Sequence, residues 1–168
     1  MPRPTPRQIV EEFRRILVSH GLLEAMRFVS DQSAHRFTAL YHFDGSMLRN
    51  LILVDKEDES VSRCPDLPVL ESYCLYVREA ASRFKVEAAS SDRRVEGHPK
   101  QRIIQSYCGI PIIASDGSLW GTMCHFDYAP HPFEDFEVAV LEAIAPMIMR
   151  AIEDGAADEL QAGRGAAA

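Results

Sequence analysis

The sequence has no CxxC pair, no apolar run of membrane-spanning length, no lysine/arginine stripe and no internal repeat. Each absence excludes something. The four cysteines, Cys64, Cys74, Cys108 and Cys124, lack zinc-finger spacing, and in a reducing compartment they are expected as free thiols. Without about 20 consecutive apolar residues no membrane span is expected. Charges interrupt the opening MPRPTPRQIVEEF where a secretory signal would carry its apolar core, so the protein is expected in the cytoplasm. A net charge of −7 disfavours direct nucleic-acid binding. P-loop, GxGxxG, HExxH and GxSxG patterns are also missing, which removes the common nucleotide, dinucleotide, zinc-protease and serine-hydrolase signatures. His98, Cys108, Cys124, His125 and His131 are metal ligands by type only, and their spacing predicts no metal site.

What is present describes one globular domain. In 168 residues, 46% are apolar and 26% charged, enough for a sizeable core under a solvated surface. The organising stretch is Ser106 to Asp127, two apolar runs joined at Asp116-Gly117. Pro111 makes the first run an edge strand or a bulged one, because proline cannot donate to a ladder. Gly121 in the second run marks a bulge or a close backbone approach. Thr5-Pro6 caps a first helix carrying Ile9, Phe13, Ile16 and Leu17, and Gly21 separates it from a second. From Arg36 to Phe43, Phe37, Ala39, Tyr41 and Phe43 alternate with Thr38, Leu40 and His42, and Asp44-Gly45 returns the chain through Met47–Val54.

The segment from Asp55 to Pro68 reads as loop, Leu70 to Ser82 as a helix and Phe84–Ala88 as a short strand. Residues 90–99 read as a charged irregular segment, and a closing helix contains Pro146, which is expected to kink or break it. The order helix, helix, hairpin, helix, strand, loop, hairpin, helix implies an α+β domain with a central antiparallel sheet. Three parts are expected: an N-terminal helix over 1–20, a domain over 21–154, and a flexible Ala/Gly-rich tail over 155–168.

The ordered set Ser72-Tyr73-Cys74, Val86–Ala89, Asp92-Arg93-Arg94, His98-Pro99, Ser106–Pro111, Gly121–Asp127 and Leu141–Pro146 resembles the GAF domain family. The resemblance spans about Gly21 to Ile152. It implies a twisted antiparallel sheet of five or six strands, terminal helices on one face and a small-molecule pocket on the other, closed by the Tyr73–Ser82 helix and a lid over 90–105. It names no ligand and no cofactor. Where plant-type phytochromes attach a bilin, this chain has Gln101 and Arg102. Similarity to free methionine-(R)-sulfoxide reductase places Cys64 and Cys74 on two of that enzyme's cysteines, but the third has no counterpart.

The favoured expectation is therefore a sensing or regulatory module that acts as a homodimer, or on a signalling protein in trans. A thiol-dependent reductase is the alternative, and a dimerisation domain with a vestigial pocket is a third. Tyr73, Cys74, Asp92, His98, Arg102, Tyr107 and Cys108 are expected to contact the ligand: aromatic walls, small polarizable packing and polar groups to orient an anionic or mixed polar molecule.

Overall fold

The computed structural model describes residues 2–156 and Leu160. Most of the tail expected over 155–168 lies outside the described residues, although Ala156 and Leu160 pack against a core.

Helix α1 runs Pro6–His20 behind a capping box, in which Thr5 accepts from the Gln8 amide and Gln8 accepts from the Thr5 amide. Gly21 follows at φ 89°, a left-handed setting that lets α2, Leu22–Asp31, fold back on α1. Six antiparallel strands come next: β1 Phe37–Asp44, β2 Met47–Asp55, β3 Leu67–Pro68, β4 Phe84–Val86, β5 Ser106–Ile113 and β6 Leu119–Asp127. They are ordered β3-β2-β1-β6-β5-β4, so the first and last long strands meet at the centre. Helix α3, Cys74–Ala80, lies on one face, and α4, Asp135–Ala151, closes the other with α1 and α2.

Both turns read from Asp-Gly pairs form, with Gly45 at φ 59° and Gly117 at φ 88°. Gly121 combines both expected roles. A Cβ built there would lie 1.9 Å from the Tyr41 carbonyl oxygen, and the β5–β6 register shifts beside it, between Ile112 and Ile113. Pro111 lies past the end of β4, whose pairing stops at Gly109, so β5 is locally an edge there. Three readings change. The helix expected from Leu70 to Ser82 is shorter, because a 3₁₀ turn over Val69–Glu71 precedes it and leaves Leu70 exposed. The loop after β2 contains β3, too short for any periodicity to reveal. Pro146 neither breaks α4 nor ends it.

Period-two alternation sorts the sheet into two cores. Leu40, Ile52, Cys108, Ile110, Ile112 and Met123 face α1, α2 and α4. Phe37, Ala39, Tyr41, Leu53, Tyr107 and Cys124 face α3 and the loops. Where the helix side meets the end of β6, His35 stacks on Phe133 at 3.8 Å, and His125 Nδ1 shares a 2.7 Å hydrogen bond with Thr38 Oγ1. Burial, with the neighbouring His131 and Lys56 charges, lowers His35 to about 4, the nearby Asp127 acting the other way. Burial, together with His35 and Lys56, lowers His125 to about 3.

Both rings stay neutral in the fold while the unfolded chain takes up protons near 6.5. Stability should thus be flat above that value and fall as pH drops toward these lowered values, by up to about 1.4 kcal/mol per pH unit for each ring. Urea midpoints measured from pH 8 to 4.5 check this, and an unchanged midpoint across that range would contradict it.

Candidate functional site

On the face opposite α1, α2 and α4 lies a half-open cavity of about 220 Å³. Strand residues build its floor: Phe37 and Tyr41 from β1, Leu53 from β2, Tyr107 from β5, and Cys124 and Phe126 from β6. Its walls come from Cys64, Pro65 and Leu67 before and in β3, from Glu71, Ser72 and Tyr73 ahead of α3, and from Lys100 and Ile104. Tyr128, exposed, stands at the rim.

The rings are fixed from within. Phe37 stacks on Phe126 at 4.9 Å and meets Tyr128 edge-on at 5.1 Å. Tyr73 and Tyr107 meet edge-on at 5.6 Å. All three phenols of the inner wall have partners inside the protein. Tyr73 donates to the Ile104 carbonyl at 3.0 Å, Tyr107 to Cys74 Sγ at 3.1 Å, and Tyr41 Oη lies 3.3 Å from Cys64 Sγ. The Tyr107 ring lies over Gly109, where a Cβ would stand 2.2 Å from its oxygen. Glycine there is what allows Tyr107 to lie flat along the strand.

Cys74 sits just behind this wall, fully buried, with Thr122 Oγ1 3.1 Å from its sulfur. Burial raises its thiol, but hydrogen bonds from Cys124, Ser72, Thr122 and Tyr107 outweigh that and bring it down to about 7. Burial drives the paired Cys124 well above the ordinary thiol value. Cys64 is also raised, again chiefly by burial. The two thiols that line the cavity are therefore held protonated, and the acidic one has no opening of its own.

The residues singled out from the sequence separate. Tyr73 and Tyr107 line the cavity and Cys74 backs it. Cys108 lies on the opposite face, in the helix-side core, because adjacent strand residues cannot share a face with Tyr107. There burial pushes its thiol up to about 12. Asp92 is not at the cavity: it caps a 3₁₀ turn by accepting from the Arg94 amide and pairs with the Arg94 guanidinium at 2.6 Å, which holds its carboxyl low.

His98 is buried behind the wall, its ring 4.8 Å from Tyr73 and 5.6 Å from Tyr76, and its Nδ1 accepts from the Lys100 amide. Arg102 is exposed over a separate surface hollow that it shares with His98, Glu96, Gly97 and Gln101, so these two expected residues meet there and not at the cavity. The lid segment thus reaches the cavity through Lys100 and Ile104. Phe37, Tyr41, Cys64, Lys100, Phe126 and Tyr128 line the cavity in addition to the residues expected there. The alternation of Phe37, Ala39, Tyr41 and Phe43 carried the signal for the floor, once that face was known to be the one away from the terminal helices.

Among the described residues no group of three or more His, Cys, Asp or Glu side chains is placed to hold a metal, and no helix is long and apolar enough to cross a membrane.

Tyr107→Phe isolates the Cys74 network without emptying the wall. It should raise the pH at which the Cys74 thiolate appears, by the equivalent of one hydrogen bond, about 1 kcal/mol. Thiolate absorbance during a pH titration reads this, and an unmoved curve would remove Tyr107 as the donor.

Residues 22–152 match the family model of the GAF domain. A cyclic di-GMP phosphodiesterase of Pseudomonas aeruginosa is 32% identical over 92 residues, 51% of this chain but only 15% of that protein. Among solved structures, the GAF domain of an Acinetobacter phosphoenolpyruvate-protein phosphotransferase superposes with a TM-score of 0.73 at 15% identity, covering 94% of this chain and 99% of that one. Free methionine-R-sulfoxide reductase from Neisseria meningitidis, in complex with its substrate, superposes with a TM-score of 0.68 at 12% identity, covering 92% and 90%. At these identities the solved structures share the fold.

Proposed function

The chain belongs to the GAF domain family, and from that premise we propose that it is a sensing module of the cytoplasm, which holds a small molecule in the cavity over β1 and β6. Its output passes through a second copy of itself or to a signalling partner in trans. One observation carries this reading: on the face away from the terminal helices, strand side chains and the flanking loops enclose a half-open hollow lined by aromatic rings. The hollow is walled by rings whose polar tips are already satisfied. Such a site is concave, largely apolar and preformed, as small-molecule sites are. The pairing reading rests on α1, which leaves Val18 exposed at 83% and Ile16 and Leu17 only partly covered.

The reductase reading has weaker support. Cys64 and Cys124 do line the cavity, but burial raises both, and a sulfoxide is reduced by an accessible thiolate. Cys74, the thiol brought low, lies behind the wall.

Native mass spectrometry of freshly purified protein tests the sensing reading. The expected spectrum contains two chains and a bound small molecule that is lost in Leu53→Trp, which fills the floor. A monomer mass would sink the pairing, and an unchanged adduct in Leu53→Trp would place the ligand elsewhere. Free methionine-(R)-sulfoxide supplied with a dithiol reductant should not be consumed. Turnover abolished by Cys74→Ser would put the enzyme reading first.

A further inference from the structure

We infer that the ligand of this cavity is a single-ring aromatic carboxylate. The inference rests on the reading of the cavity as a small-molecule site. Size comes first. The cavity holds about 220 Å³, below the usual range for drug-sized ligands. One ring with a short acidic arm fits that space.

Shape comes next. Six of the lining residues are aromatic: Phe37, Tyr41, Tyr73, Tyr107, Phe126 and Tyr128. Because the phenols of Tyr41, Tyr73 and Tyr107 are engaged with Cys64, the Ile104 carbonyl and Cys74, these residues present ring faces and edges to the interior rather than hydrogen-bonding tips. Phe37 stacks on Phe126 with planes 18° apart and meets Tyr128 at 71°, while the Arg36 guanidinium lies over the Phe37 and Tyr128 rings at 4.7 and 5.6 Å, so a flat ring that enters meets this cluster edge-on.

Charge fixes the polar end. Lys100 is the one cation among the lining residues, and among the described residues it has no carboxylate partner. Its ammonium can donate to an acid at the end of the ring. Glu71, the other charged lining residue, is exposed at the rim and repels a second negative group, which favours a monoanion over a phosphate ester.

Phenylacetate, cyclohexylacetate and phenylacetamide separate the three elements, since each control lacks one of them. Calorimetry with the full chain should show one phenylacetate per chain, with amide shifts at Tyr41, Tyr73, Tyr107 and Cys124 in NMR spectra. Cyclohexylacetate, which keeps the charge without a flat ring, and phenylacetamide, which keeps the ring without the charge, should each bind about tenfold more weakly. Lys100→Gln should weaken phenylacetate about tenfold and leave phenylacetamide unchanged. If either control binds as tightly as phenylacetate and moves the same amides, the aromatic-carboxylate assignment falls while the site itself stands. If none of the three moves those amides, the assignment falls as well. The small-molecule reading of the cavity then stands or falls separately, on the native mass spectrum and its Leu53→Trp control.

Discussion

The backbones of β1 and β6 approach closely at Gly121, where the Tyr41 carbonyl oxygen fills the place a side chain at position 121 would need. That contact sets the centre of a six-stranded sheet, because β1 and β6 are the strands through which its two halves join. It also fixes what stands on each side. Phe37, Ala39 and Tyr41 come opposite Phe126, Cys124 and Thr122 in register, so the floor of the cavity is assembled across this one seam. A side chain at 121 would push β1 off β6 and open floor and helix-side core together.

The two faces use the same alternation for different ends. Toward the helices the sheet offers aliphatic side chains, Leu40, Ile52, Ile110, Ile112 and Met123, each fully or almost fully buried. Burying a side chain of this kind contributes about 1.5–3 kcal/mol. Toward the cavity it offers rings and thiols, whose polar atoms must be satisfied when water is excluded. The chain Tyr107–Cys74–Thr122 does this with side chains alone and brings one buried thiol near neutrality.

Local chemistry made much of the fold readable from the sequence. Thr5-Pro6, Gly21, Asp44-Gly45 and Asp116-Gly117 each impose a cap, break or turn within a few residues, and the structure has them all. The alternation from Phe37 to Phe43 likewise stated which residues share a face. The site was only partly legible because a lid's position is a tertiary matter. Asp92 and Arg94 satisfy each other two residues apart, so neither is available to a ligand, and no composition rule distinguishes that from two groups turned inward. His98, expected to contact the ligand, instead supports Tyr73 from behind. Tyr107 and Cys108 were both expected at the cavity, but strand parity alone puts neighbours in β5 on opposite faces.

Between hollow and filled faces there is a wall only one backbone thick. Along β6, Thr122, Cys124 and Phe126 stand on the hollow side while Met123 and His125, interleaved with them, stand among the helices. No side chain of the cavity floor is more than one peptide unit from a side chain of the helix-side core. Close-packed interiors yield in discrete steps rather than by smooth deformation, so occupancy on one side becomes a choice of packing on the other. The sheet is in this sense a diaphragm: a ligand that pressed on the cavity side would meet the helix-side packing across a single peptide.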